Sequence, residues 1–238
     1  MEILVVCLAA FLTAILTFFS GFGLGTILMP VFAIFFPVEI AIALTGVVHF
    51  SNNLFKISLV GRKADKEVLL RFGIPAIIAS FAGAWLLLKI TKMPSLLEYN
   101  LWNENFEITP VKLVVAILLI IFSVLEFSPS FRKIQFNRNN LVTGGILSGF
   151  FGGLSGHQGA LRSAFLLKFG LKKEAFIATG VVIACFVDFT RISIYLTKFL
   201  SKDVLSNWAI ILAATLSAFV GAYFGNKLLK KVTFKFVQ

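Results

Sequence analysis

The stretch SGFGLGTILMP, from Ser20 to Pro30, places glycines at alternate positions inside an otherwise apolar run. Gly21, Gly23 and Gly25 allow the backbone to turn sharply, because glycine has no Cβ. The apolar character of the run predicts one continuous helix, whereas the glycines predict that this helix breaks and restarts. What such a break means depends on the solvent that surrounds the helix.

The composition indicates that this solvent is lipid. Of the 238 residues, 58% are hydrophobic and only 14% are charged, whereas a soluble domain is about 45–50% apolar and about 25% charged. The chain lacks the polar residues that would cover a soluble protein of this size. We therefore predict an integral membrane protein with the lipid bilayer as a partner. Cys7 and Cys185 lie in apolar runs without metal-type spacing, which is typical of buried small hydrophobic residues.

Nine apolar segments of helical length follow one another along the chain, which predicts an all-α polytopic protein. They cover residues 3–19, 24–36, 39–60, 68–90, 111–127, 140–154, 159–169, 174–198 and 205–229. A full crossing takes about 20 residues. The segments 24–36 and 159–169 are much shorter, so we expect each of them to reach only part of the way across the bilayer.

The basic residues predict the orientation of these segments. If all nine cross, one side receives most of the lysines and arginines, and the other holds the acidic stretch LEYNLWNENFEITP at 97–110. Basic loops stay on the cytoplasmic side, which predicts an outside N-terminus and a cytoplasmic C-terminus. Because the net charge of +11 is spread over segment ends, it does not indicate nucleic-acid binding.

Three short motifs occur twice, in the same order and at nearly the same spacing. They are TGVV at 45–48 and 179–182, KIS at 56–58 with RIS at 191–193, and GAW at 83–85 with GAY at 221–223. Similar shifts align Gly25 with Gly159 and Asn53 with Asp188. These matches predict duplicated halves, with a first transmembrane repeat at 1–90 and a second repeat plus a cytoplasmic tail at 139–238.

The residues between the halves, 91–138, contain an outside loop and one linking helix. Four segments return the chain to its starting side, so one further crossing begins the second half from the opposite side. The two four-segment repeats are therefore predicted to be inverted. Secondary transporters commonly have this architecture, with the substrate site at the repeat interface near the bilayer midplane.

Glycine-rich hairpins in both halves would then help to form the anion site. The first contains Gly21, Gly23, Gly25 and Thr26, and the second lies in FFGGLSGHQGALR at 150–162. Non-helical backbone at membrane depth requires a polar cavity, and a helix that starts there offers free N–H donors and about half a positive charge. We expect two helix N-termini to converge on one anion.

The alternative for any of these glycines is close packing between membrane helices. We favour packing for the mid-helix Gly83 and Gly221. We favour the break for Gly21 to Gly25 and for Gly152 to Gly159, because glycine is dense there and the following segments are short.

Ionisable and amide side chains inside the spans are the main candidates for function, because each costs about 2.5–3.5 kcal/mol to insert. His49, Asn52, Asn53 and Lys56 lie at i, i+3, i+4 and i+7, so they share one helix face. The alternative for Lys56 is that it snorkels to the interface from its position near a helix end.

A second polar stripe lies on the repeat-related helix, where Asp188, Arg191 and Tyr195 are spaced at i, i+3 and i+7. We predict that the two stripes face one shared cavity. Asp188 and Arg191 could also simply pair with each other, which would still place an ion pair within a span.

The second glycine break adds His157, Gln158 and, one turn beyond, Arg162. Histidine titrates near neutral pH, which makes the proton a candidate coupling ion, with His157 or Asp188 as the residue that exchanges it. A hydrogen-bonding role for His157 is equally compatible with the sequence. The predicted substrate-binding residues are Gly21, Gly23, Gly25, Thr26, His49, Asn52, Asn53, Lys56, His157, Gln158, Gly159, Arg162, Asp188 and Arg191.

The duplicated glycine-rich hairpins, the TGVV elements and the KIS and RIS pair resemble those of the TauE/SafE family, also called the sulfite exporter or TSUP family. The resemblance covers nearly the whole chain. It implies transport of a small sulfur-containing anion, such as sulfite or a sulfonate, across the bacterial inner membrane. From this family we carry over only the glycine-rich regions, and the polar stripes rest on their spacing.

Other classes of protein fit the sequence less well. Neither HExxH nor GxSxG occurs, and the chain has only two histidines, so we predict neither an enzyme nor a metal site or cofactor. A non-transporting assembly or sensor subunit would not need inverted repeats with charges inside the spans. A passive anion channel stays open as the alternative to a carrier. No feature of the sequence indicates an oligomeric state.

Overall fold

The computed structural model describes residues 1–20, 24–101, 104–128, 140–167, 169–197 and 206–229. In this part of the chain, nine helical segments correspond one by one to the nine predicted apolar segments. They are α1 (Glu2–Ser20), α2 (Gly25–Ala33), α3 (Val38–Val60), α4 (Lys66–Ile90), α5 (Pro110–Phe127), α6 (Leu141–Ser155), α7 (Gly159–Leu167), α8 (Lys173–Leu196) and α9 (Trp208–Leu229). The predicted all-α polytopic class is confirmed.

Helix length separates full spans from partial ones. Among the described residues, four helices are long and apolar enough to cross a membrane: α3 with the turn that follows it, α4, α8 and α9. The helices α2 and α7 have only nine residues each, which is about 14 Å at about 1.5 Å per residue. This agrees with the two partial segments predicted after the glycine breaks.

The fourth helix contains an irregular turn near its start. Helix over Lys66–Val68 changes to a π-helical turn over Leu69–Gly73 and continues as α-helix over Ile74–Ile90. A 3₁₀ turn over Gly61–Lys63 ends α3. The connection between α3 and α4 is therefore short, but the two helices pack mainly on other partners: α3 on α2, α8 and α9, and α4 on α6 and α8.

The acidic loop between α4 and α5 differs from the sequence prediction, because it is not irregular. Leu97–Leu101 (β1) and Glu104–Ile108 (β2) form an antiparallel hairpin in which Leu97 pairs with Ile108. The alternating polar and apolar residues of this stretch suit a strand, and the hairpin is small enough to leave the all-α class unchanged.

The two glycine breaks meet inside the bundle. Gly156 ends α6 in the left-handed conformation, with φ of +83°, and α7 begins three residues later at Gly159. Gly25, the first residue of α2, lies against this turn, since a Cβ on Gly25 would be 3.2 Å from the carbonyl oxygen of Gly156. Gly21 and Gly23 lie outside the described residues.

Helix pairing exchanges elements between the two halves. The first helix of each half packs along the last helix of the other: α1 lies against α9 and α6 against α4, while α3 and α8 pack together at the centre. Gly221 lets α9 approach the Phe11 carbonyl, and Gly83 lets α4 approach the Phe150 carbonyl. These contacts support the packing interpretation of both mid-helix glycines.

Gly152 and Gly153, which the sequence placed at the break, lie inside α6 instead, and Gly153 has a packing role. Gly145, Gly149 and Gly153 repeat every four residues along α6, and each lies against a backbone carbonyl of α4. Gly153 therefore belongs to the contact between the two helices, and the break itself begins at Gly156.

Candidate functional site

The polar stripe of α3 is buried at the centre of the bundle. His49, Asn52, Asn53 and Lys56 are at most 4% exposed, although α3 is long enough to span the membrane. His49 and Asn53 face α8, where both contact Asp188, whereas Lys56 reaches Thr17 of α1. Lys56 therefore does not snorkel to the interface.

Asp188 of α8 is the acceptor around which this stripe is organised. Its Oδ2 lies 2.6 Å from His49 Nδ1 and accepts a hydrogen bond of 3.1 Å from Asn53 Nδ2. Its Oδ1 accepts from Gln158 Nε2 at 3.3 Å and from Arg191 Nε at 2.9 Å. The side chain is fully buried, so three separate parts of the chain supply donors to one carboxylate.

The ion pair between Asp188 and Arg191 is present, with Nη2 at 2.9 Å from Oδ1, and it is one part of this larger network. Arg191 passes directly over the break, because a Cβ on Gly156 would lie 2.6 Å from Nη1. This Nη1 has no hydrogen-bond partner among the described residues. The arginine thus joins the polar stripe to the turn between α6 and α7.

Lys56 and Arg162 line a small cavity beside His49 and Asn53, which we call the inner cavity. Its volume is about 30 Å³, and it is bounded by α1, α3, α7 and α8. A single water needs about 10–15 Å³ by this measure, so the cavity has room for roughly two. Lys56 Nζ donates to Thr17 Oγ1 at 2.7 Å, and Arg162 is 5% exposed.

Several predicted residues lie beside the network without a described bond to it. His157 Nδ1 lies 3.0 Å from Ser155 Oγ, and its ring stacks on Phe122 at an interplanar angle of 7°. Asn52 is fully buried, and its amide atoms have no hydrogen-bond partner among the described residues. Thr26 is half-buried in the first turn of α2.

Sequence reasoning missed Thr17, Ser163 and Gly180 of the inner cavity, as well as its four apolar lining residues, Leu166, Phe176, Ile177 and Val181. Thr17 and Thr13 are the only polar side chains between Glu2 and Ser20, which was the available signal for α1. Ser163 directly follows Arg162, and Gly180 belongs to the repeated TGVV motif, so both lay next to residues already selected.

Basic side chains are prominent among the buried ionisable groups of the site. Among the described residues, Lys56, Arg162 and Arg191 are buried, together with the carboxylate of Asp188. Basic side chains gathered in this way are suitable donors for an oxyanion. The described residues contain no group of three His, Cys, Asp or Glu side chains placed to hold a metal ion.

Comparison with models of known protein families identifies a family of transporters. The family model described as "Sulfite exporter TauE/SafE" matches residues 6–238, nearly the whole chain. No curated protein and no solved structure matches this chain.

Proposed function

This chain belongs to the sulfite exporter TauE/SafE family, and we propose that it is a secondary carrier that moves a small sulfur-containing oxyanion across the bacterial inner membrane. The candidates are sulfite, a sulfonate and anions of similar size and charge. Sulfite and sulfonates have three oxygen acceptors around one sulfur, so they suit convergent cationic and N–H donors.

The presence of two buried basic side chains, Lys56 and Arg162, in the lining of one polar cavity is the observation that carries this proposal. Beside this cavity, Asp188 accepts from His49, Asn53, Gln158 and Arg191. An anion in the inner cavity would meet the ammonium group of Lys56 and the guanidinium group of Arg162. Charge-assisted hydrogen bonds of this kind are about twice as strong as neutral ones.

Burial of the site is what we expect of a carrier in its closed state. The charged side chains that line the inner cavity, Lys56 and Arg162, are at most 5% exposed, and a cavity of about 30 Å³ is too small for an open pore. Alternating access would open it to one side at a time. The short helices α2 and α7, which meet at the breaks, are the elements we expect to move.

We propose that the pair of His49 and Asp188 binds the coupled proton. Their 2.6 Å contact joins α3 to α8, so a proton on this pair would weaken the hold of Asp188 on its donors and leave those donors to the anion. His157 would then serve as a hydrogen-bonding residue beside the break. The proposed topology has the N-terminus outside and the C-terminus in the cytoplasm, in line with the basic loops.

The function is tested with purified protein in proteoliposomes. Uptake of sulfite, thiosulfate, sulfate, a sulfonate and a carboxylate is measured with and without an imposed proton gradient, for the wild type and for His49→Gln. We expect saturable uptake of at least one sulfur oxyanion, with a weaker response to the gradient in the variant. Uptake that rises linearly with concentration would favour the passive channel, and a panel with no transported anion would refute the proposal.

A further inference from the structure

A second cavity lies where α3 ends and α8 begins, beside the 3₁₀ turn. We call it the outer cavity. Its volume is about 120 Å³, about four times that of the inner cavity. The end of α3, the start of α8 and the end of α9 surround it. Its polar side chains are Lys63, Lys173, Glu174 and Asn226.

The two cavities follow the same pair of helices. Along α3, Lys56 lines the inner cavity, and Val60, one turn further, lines the outer one, followed by Lys63 of the 3₁₀ turn. Along α8, Lys173 lines the outer cavity and Gly180, two turns further, lines the inner one. At about 1.5 Å per residue, the seven positions from Lys63 to Lys56, and the seven from Lys173 to Gly180, each cover roughly 10 Å toward the centre of the bundle.

Ile177 is the residue that lines both cavities. It is 5% exposed and lies on α8 between Lys173 and Gly180. An apolar side chain between two polar cavities blocks the passage of a hydrated ion, because the ion would lose water contacts there without gaining polar partners. Removal of this side chain would join the two spaces.

The charged groups of the outer cavity favour anions. Lys63 is exposed at its mouth, and Lys173 Nζ donates to the carbonyl of Leu229 at 2.8 Å. Glu174 is the one carboxylate in the lining, so the lining has a net positive charge, and the amide of Asn226 adds a neutral donor. Positive clefts raise the local concentration of anions.

We propose that the outer cavity is the access site of the transported anion at this end of the protein, and that Ile177 is the gate between it and the inner cavity. This inference rests on the proposed function and adds a second binding site on the path. A small oxyanion first meets Lys63 and Lys173, and it reaches Lys56 and Arg162 when the Ile177 side chain moves aside.

The gate is tested with the full-length protein in detergent, in which Cys7 and Cys185 are replaced by alanine and Ser163→Cys reports on the inner cavity. The rate of modification by a methanethiosulfonate that carries a sulfonate group is followed by mass spectrometry. Ile177→Ala is compared with Ile183→Ala, which removes the same atoms from a residue of α8 that is 1% exposed and lines neither cavity.

We expect Ile177→Ala to increase the modification rate about tenfold over Ile183→Ala, because truncation leaves open space where the side chain stood. Ile177→Val, which removes less and is less disruptive to folding, should give an intermediate rate. Equal rates in the Ile177 and Ile183 variants would overturn the gate.

The access site is tested in the Ile177→Ala background by adding Lys63→Gln. We expect the anionic reagent to react about threefold more slowly, since one steering charge is lost, and a trimethylammonium reagent to react no more slowly than before. A change that is equal for both reagents, or absent for both, would overturn the access site. Labelling does not require transport. Gated labelling without flux of any anion in the panel therefore contradicts the proposed function, and flux without gated labelling contradicts this inference.

Discussion

Lys56 and Arg162 are the residues most directly available to an anion, because both line the inner cavity. Arg191 also has a structural role. It holds Asp188 through Nε and Nη2, and removing one partner of a buried ion pair commonly costs about 3–5 kcal/mol. In an Arg191→Gln variant, a loss of anion binding could not be separated from a loss of folding. The variant is therefore combined with Asp188→Asn.

We predict that Lys56→Gln or Arg162→Gln lowers the affinity for sulfite about tenfold while the protein remains folded. A tenfold loss corresponds to about 1.4 kcal/mol, within the range of one charge-assisted contact. Titration calorimetry on purified protein measures the affinity, and size-exclusion elution checks the fold.

The matched control for this charge prediction is Lys89→Gln. Lys89 is exposed near the end of α4, with its Nζ 3.7 Å from the centre of the Trp85 ring, so its loss should leave the affinity unchanged. If both cavity variants bind sulfite as tightly as Lys89→Gln, the anion is not held by these side chains.

Among the elements, the contact between α4 and α6 depends most strongly on glycine. The stacked positions Gly145, Gly149 and Gly153 bring α6 against the backbone of Phe72, Ala76 and Ser80. Small residues let membrane helices approach until dispersion contacts form between their backbones. This close contact anchors α6, whose end carries the break at Gly156.

We predict that Gly149→Ala destabilises the protein, because the new Cβ would overlap the backbone of Ala76. Overpacking of a close contact typically costs about 1–3 kcal/mol. Thermal unfolding in detergent measures the effect. The control is Gly73→Ala, where the Cβ would meet only Ile183 Cγ1, at 3.5 Å. Equal unfolding midpoints for the two variants would contradict the role given to this contact.

At the scale of the whole molecule, the exchanged helix pairs fit two related halves. Packing of α1 on α9 is repeated by packing of α6 on α4, and α3 and α8 lie together between these pairs. If the halves are repeats, as the sequence predicts, each buries apolar faces of the other through these pairs. Inversion of one half relative to the other would also give the central site an equivalent route to each side of the membrane.

We predict that the turn after α3 and the connection before α9, which would be equivalent in the proposed repeats, face opposite sides of the membrane. Arg62→Cys and Ser206→Cys, each in a background without Cys7 and Cys185, place reactive thiols at two exposed positions. A membrane-impermeant maleimide should label only Ser206→Cys in intact cells and both after lysis. Labelling of both, or of neither, in intact cells would indicate parallel repeats or none.

Much of the fold could be predicted from the sequence because its determinants are local. Apolar length sets where a helix can cross, and helical spacing sets which residues share a face. The nine segments, the short helices after both glycine breaks and the buried stripe of His49, Asn53 and Lys56 all follow from these rules. The hairpin at Leu97–Ile108 was missed because its alternation is confined to two short stretches.

Only the tertiary structure decided which of these residues meet. Spacing placed His49 and Asp188 on separate helices, but their 2.6 Å contact, and the arrival of Gln158 from the break, depend on how α3, α7 and α8 pack. The pairing of Lys56 with Thr17 and the position of Ile177 between two cavities depend on the same packing. A chain determines by itself where its helices lie and which faces are polar, because these depend on near neighbours. Contacts between residues that are a hundred or more positions apart in the sequence are set by shape complementarity between helix surfaces. No local sequence pattern describes that complementarity.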